Sequence, residues 1–154
     1  MNKRSPHFWI ATWFGSGLSP KAPGTVGTLA TVPAHFLLIE LSTWGHALCL
    51  IGLVFVGTLS ADKLARDMQL EDPQLVVIDE SAGVLLALFL AGATTLVGVV
   101  AAVLLFRLFD ITKPWPINAA ERLKPAGVGI MADDIVAGIA AGLGTLLLLQ
   151  FTGL

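Results

Sequence analysis

"SAGVLLALFLAGATTLVGVVAAVLLF", residues 81–106, decides the topology of this chain. The stretch carries no charge, and it is long enough to cross a bilayer once, which takes about 20 apolar residues. It also reads as two shorter helices, Ser81–Ala91 and Thr94–Phe106, turned back on each other at "AGATT" (91–95). The two readings place everything that follows on opposite sides of whatever the chain crosses, so the rest of the sequence has to arbitrate.

Composition says what is crossed. The 154 residues read as one domain, 1–154, with 55% hydrophobic and 13% charged side chains. Mean hydropathy is +0.82, whereas soluble domains carry about 25% charged residues. So little polar surface cannot cover a water-soluble globule, and a membrane is the better solvent. The net charge of -2 says little about partners, and nothing points to nucleic acid. The single cysteine, Cys49, lies in "HALCLIGLVFVG", so no disulfide framework exists and an inert, buried thiol is expected. "MNKRSPHFWIATWFGSG" at the N-terminus is basic and then aromatic. It lacks the apolar run and small-residue site of a cleaved signal. Its Phe8, Trp9, Trp13 and Phe14 predict a short helix lying at the interface.

Five apolar segments follow, Thr25–Leu41, His46–Ala61, Ser81–Ala91, Thr94–Phe106 and Ile135–Phe151. The first is the weakest, since it holds Pro33, His35 and Glu40. The expected fold class is all-α, a polytopic helical membrane bundle of about five apolar helices plus the N-terminal interfacial helix. With a hairpin at 91–95, Lys3, Arg4, Lys21, Lys63, Arg66, Arg107, Lys113, Arg122 and Lys124 share one side, and these are all 9 Lys and Arg residues. A single span would move the last four to the other face. Cytoplasmic loops collect Lys and Arg, so the hairpin is the expected topology and the basic side is the cytoplasmic face.

The acids fall on the same side. Asp62, Asp67, Glu71 and Asp72 share a loop, Asp79 and Glu80 open the third segment, and Asp110 closes the fourth. In "GIMADDIVAG" (129–138), Asp133 and Asp134 open the fifth, and Glu40 lies across the membrane. Asp79, Glu80, Asp110, Asp133 and Asp134 would ring one bundle mouth. Clustered carboxylates repel one another and are costly to desolvate without a counter-charge. A divalent cation is the natural remedy, and all-oxygen ligands without His or Cys favour Mg²⁺. Asp79, Glu80, Asp133 and Asp134 are its expected ligands. Taken singly, Arg107 and Asp110 read as an i,i+3 ion pair, and Asp79 and Asp133 as charges complementing helix N-termini. Convergence of three segments on one plane favours a functional mouth.

"SPKAPGTVGTL" (19–29) is a Pro/Gly loop running into a helix on that side. Thr25 can cap the helix, Gly24 and Gly27 let backbone approach a ligand, and the free amides with Lys21 and Thr28 suit a phosphate. "FRLFDITKPWPI" (106–117) contributes Arg107 and Lys113, with Trp115 either an interface anchor or a substrate contact.

"FGSGLSPKAPGTVGT", "VIDESAG", "FRLFDITKPWPI" and "GIMADDIVAG" together resemble, in order and spacing, the signature blocks of the phosphatidylglycerophosphatase A family. The likeness runs from about Phe14 to Gly142. It implies an all-helical, Mg²⁺-dependent lipid phosphatase that removes the terminal phosphate of phosphatidylglycerophosphate to give phosphatidylglycerol in the bacterial inner membrane. The family's invariant positions correspond to Pro23, Gly24, Thr25, Gly27, Asp67, Asp79, Glu80, Arg107, Asp110, Lys113, Pro114, Gly129, Asp133 and Asp134. The partners implied are the anionic phospholipid substrate and the membrane; homo-oligomerisation stays open.

Other phosphatase chemistries lack their residues. A cysteine phosphatase needs an Arg six positions after its Cys, where Phe55 follows Cys49, and Asp-x-Asp does not occur. His7, His35 and His46 have no Ser-Gly-His context, and the CDP-alcohol phosphotransferase block is missing. Direct attack by metal-activated water is therefore expected. In that scheme Asp110 orients or deprotonates the water, and Arg107, Lys113 and Lys21 neutralise phosphate charge. The rival reading is a non-enzymatic divalent-cation carrier. It would want acids along a path through the bundle, not gathered at one face.

Overall fold

The described residues fold into seven α-helices: α1 (Pro6–Ala11), α2 (Pro23–Leu38), α3 (Thr43–Met68), α4 (Ile78–Ala91), α5 (Leu96–Thr112), α6 (Ile117–Ala120) and α7 (Ala126–Thr152). These elements are from a computed structural model that describes residues 5–152, and the described residues contain no strand. Residues 81–106 form the hairpin. Gly92 ends α4 in the left-handed conformation (φ 59), where a side chain would be strained. Thr95 then caps α5, its Oγ1 accepting from the Gly98 N–H at 3.2 Å.

α7 is the axis of the bundle, packed along α4 and flanked by α3 and α5. The crossing of α4 and α7 is built from glycine. A Cβ on Gly138 would lie 2.4 Å from the Gly83 carbonyl oxygen, and one on Gly83 would lie 2.6 Å from that of Asp134. Removing both side chains lets the two backbones touch, as close helix pairs in apolar surroundings require. Two cores sit on either side of this seam, one around Val84, Leu88, Phe106 and Ala141, the other around Phe8, Leu64, Ile78 and Met131. α2 is tied across α4. Thr31 Oγ1 donates to Ser81 Oγ at 2.8 Å, and the His35 ring meets the Ala93 carbonyl at 2.6 Å beside the hairpin turn.

Several boundaries differ from the sequence expectation. α3 runs on to Met68, so Asp62 and Asp67 lie in its last turns and not in a loop. α7 starts at Ala126, not Ile135, so Asp133 and Asp134 sit two turns inside a helix and cannot serve its N-terminus. Pro33 stays within α2. The five apolar segments map onto α2, α3, α4, α5 and α7, but the count of five crossings is not borne out by length. Among the described residues, only α3 (26 residues) and α7 (27 residues) are long and apolar enough to cross a membrane. Cys49 is exposed on α3, against the expected burial. An all-apolar run does not distinguish the face turned to neighbours from the face turned outward. α1 exists, but Phe8 is buried against α3 and only Trp9 and Phe14 of the aromatic group are strongly exposed. The outer surface is apolar elsewhere too, with Leu37, Ile51, Phe55, Leu104 and Leu147 all exposed.

Charge is gathered at one end. Asp62 Oδ1 accepts from the Gly127 N–H at 3.3 Å, which places the end of α3 beside the start of α7. Lys63 and Arg66 lie in those last turns of α3, paired with Asp67 and Asp62. Lys21 stands in the loop before α2, and Arg107, Lys113, Arg122 and Lys124 surround the same end. Lys3 and Arg4 lie outside the described residues.

Candidate active site

Three carboxylates meet at this charged end. Asp79 and Glu80 come from the first turn of α4, and Asp134 from α7. One oxygen of each lies within 4.8 Å of the others. The glycine seam sets this meeting. Gly83 and Gly138 stand one turn beyond Asp79 and Asp134, on the same helix faces, so the point of closest backbone approach holds the acids opposite each other. Asp134 is 3% exposed. Asp79 Oδ1 and Glu80 Oε2 are buried and accept no hydrogen bond. Carboxylate oxygens left without donors are costly. Asp79, Glu80 and Asp134, with no His or Cys among them, form a hard, all-oxygen donor set that fits Mg²⁺.

Glycine has a second role here. A Cβ on Gly24 would fall 2.1 Å from Glu80 Oε1. Gly24 thus admits Glu80, a different use from the backbone approach to ligand that its sequence context suggests. Arg107 of α5 spans the same spot. It pairs with Asp110 through Nη1, which also lies 4.0 Å from Glu80 Oε1, and its Nη2 donates to Thr25 Oγ1 at 3.2 Å.

Asp133 is placed differently from its expected role as a fourth ligand. Its Oδ2 accepts from Lys113 Nζ at 2.7 Å and its Oδ1 from the Asp134 N–H at 3.0 Å. Lys113 caps α5 in the left-handed conformation (φ 41) and also holds Glu121 at 2.8 Å. Burial works against its charge, but the bonds to Asp133 and Glu121 outweigh it and raise the ammonium's pKa. Lys113 is therefore cationic at any working pH.

These groups line a cavity of about 980 Å³. Asp79, Glu80, Asp110, Asp133, Asp134, Gly24, Arg107 and Lys113 all reach it. The remaining expected residues do not. Thr28 is fully buried and spends its hydroxyl on the Gly24 carbonyl at 2.9 Å. Thr25 touches the site through Arg107, and the exposed Lys21 is not in the lining although Pro20 and Ala22 are. The rim holds residues to which the sequence reading gave no site role: Glu71, Asp72, Glu121, Arg122 and Lys124. Lys124 bonds Glu71 at 2.6 Å across the mouth and holds that carboxyl below its ordinary pKa. Desolvation raises that of Asp72. The available signal was the run "AERLKPAG" between two apolar helices, polar on a chain that avoids polarity.

A sequence profile described as Phosphatidylglycerophosphatase A matches residues 9–149. The chain belongs to the phosphatidylglycerophosphatase A family. Phosphatidylglycerophosphatase A of Escherichia coli is 38% identical over 140 residues, covering 90% of this chain and 81% of that protein. The Haemophilus influenzae protein of the same name is 37% identical, over 89% of this chain and 85% of its own length. A Bacteroides thetaiotaomicron protein, provisionally named a phosphatidylinositol-3-phosphatase, is 40% identical over 84% of this chain and 85% of its own. No solved structure matches the chain. Family membership makes the chain an enzyme, a phosphoric monoester hydrolase.

Proposed function

We propose that the chain hydrolyses the terminal phosphomonoester of phosphatidylglycerophosphate, giving phosphatidylglycerol and phosphate for phospholipid biosynthesis. It would do so with Mg²⁺ held by Asp79, Glu80 and Asp134, at the cytoplasmic face of a bacterial inner membrane that the chain crosses several times. The observation that carries the reading is the trio of clustered carboxylates, two with unbonded buried oxygens, on a cavity whose other walls supply Arg107 and Lys113.

Mg²⁺, when bound, supplies charge neutralisation at the phosphoryl oxygens and a water acidic enough to attack at neutral pH. The chain's own residues do the rest. Arg107 and Lys113 draw the phosphate into place and offset the charge that builds on it. Asp133 fixes Lys113, and Thr25 with Asp110 fixes Arg107. Asp110, in the same wall, is the candidate to orient or deprotonate the attacking water. Gly24 leaves the space that the Glu80 carboxylate occupies.

Membrane placement rests on the apolar outer faces of α3 and α7 and on aromatic side chains at both ends. Trp44 at the end opposite the cavity and Trp115 at the cavity end are each 81% exposed, as interface anchors are. The one-sided Lys and Arg support a cytoplasmic position for the cavity. A cation carrier fits less well, because every Asp and Glu except Glu40 lies at the cavity end. The test is phosphate release from defined lipids by the purified protein. Phosphatidylglycerophosphate should be hydrolysed with Mg²⁺ and spared with EDTA; turnover undiminished by EDTA would remove the metal from the mechanism.

A further inference from the structure

We propose that Arg122 forms a second anion subsite, which binds the phosphodiester of the substrate lipid and makes the enzyme prefer headgroups carrying both a diester and a terminal monoester. The inference rests on the reading above, since it takes the acid cluster to be where the monoester is cleaved.

Four cationic side chains line the cavity: Arg107, Lys113, Arg122 and Lys124. Three have carboxylate partners. Arg107 is held by Asp110, Lys113 by Asp133 and Glu121, and Lys124 by Glu71. Arg122 makes no ion pair among the described residues, although it stands next to Glu121 in the chain. It lies at the rim, on the loop between α6 and α7, and it is exposed. A guanidinium is a planar, permanently charged fork suited to two phosphate oxygens at once.

The size of the cavity points the same way. At about 980 Å³ it lies at the top of the range of about 300–1,000 Å³ found for small-molecule sites, far more than one phosphate needs. The acid cluster and Arg107 sit on the helical walls with Lys113 at the end of α5, and Arg122 sits on the exposed loop between α6 and α7 at the rim. A phosphatidylglycerophosphate headgroup has the matching order. Its monoester is terminal, and its diester lies between that and the acyl chains. With the monoester at the acids, the diester is the part of the headgroup left nearer the rim. A diester held equally in ground and transition state contributes to KM and not to kcat.

The experiment compares kcat/KM for phosphatidylglycerophosphate with that for phosphatidate, which has a monoester and no diester, in the same detergent micelles. In Arg122→Ala the ratio of the two should fall about tenfold, through a higher KM for phosphatidylglycerophosphate, the size expected for one charge-assisted contact. Arg122→Lys should recover part of the loss. Both variants change an exposed loop residue and should fold. An unchanged ratio, whether both rates hold or both fall together, would overturn the subsite and leave the proposed function standing. A wild-type enzyme that hydrolyses phosphatidate but not phosphatidylglycerophosphate would overturn the function, and the subsite with it.

Discussion

Asp134 and Glu80 illustrate what one carboxylate does in this cavity. Each offers an oxygen to the same small volume, and neither is satisfied by the surrounding protein in the way Asp133 is by Lys113. Glu80→Gln and Asp134→Asn keep the side-chain size but remove ligand charge. Phosphate release at saturating Mg²⁺ should fall at least about a hundredfold in each, the scale of losing a major electrostatic contributor. Folding should survive, because removing one of several like charges relieves repulsion. Near-normal turnover in both variants would sink the acid cluster as the reaction centre. At this scale much was legible beforehand: the sequence named the acids and Arg107 and Lys113 as one group. It could not divide them into pairs, because Lys113 reaches Asp133 through a fold that brings positions 20 apart in the chain together. It also placed Thr28 at the phosphate, where helix periodicity turns that hydroxyl inward to a backbone carbonyl.

The element that holds the site together is the crossing of α4 and α7. A valine at Gly138 would drive its Cβ into the Gly83 carbonyl, now 2.4 Å from that position. Backbone cannot give way as a flexible side chain can, so the helices must separate. Gly138→Val should lower stability by about 1–3 kcal/mol, the usual cost of overpacking, and should pull Asp134 away from Asp79. Thermal unfolding in detergent would show the loss, and Mg²⁺ should no longer raise the melting temperature. A variant that melts normally and keeps its response to Mg²⁺ would show that the seam does not set the acid spacing. Helix existence was readable from hydrophobic runs, and "AGATT" was rightly a turn. Helix ends were not. Asp133 and Asp134 interrupt an apolar run, and a charge there reads as an end, whereas in the structure it is the side of a helix facing a polar cavity.

On the scale of the whole molecule, the bundle is polar at one end and apolar over most of the rest. If that end faces the cytoplasm, Met68 at the close of α3 and Leu123 at the cavity rim face it together. Cysteines placed at each, in a Cys49→Ala background, should react with a membrane-impermeant thiol reagent only in inverted vesicles. The background change is necessary because Cys49 is itself exposed. Labelling of Leu123→Cys in intact spheroplasts would put the cavity on the outer face. One-sidedness was visible in the sequence through Lys and Arg alone, since it needs only the order of segments. Which helices are long enough to cross was not, since that depends on where each one ends.

The hairpin has a consequence for the lipid around it. α4 has 14 residues and α5 has 17, so they rise about 21 Å and about 25 Å, short of a hydrocarbon layer of about 30 Å. If the acids lie near one headgroup layer, as the proposed function requires, the Gly92–Thr95 turn would stop inside the far leaflet. Acyl chains there would then have to bend inward to keep Thr94 and Thr95 hydrated, at a cost that grows with every ångström of mismatch. The enzyme should therefore work best in thin bilayers. In vesicles of phosphatidylcholines with progressively longer monounsaturated chains, its rate should decline steadily; a flat profile would mean that the hairpin's turn is not seated in the bilayer.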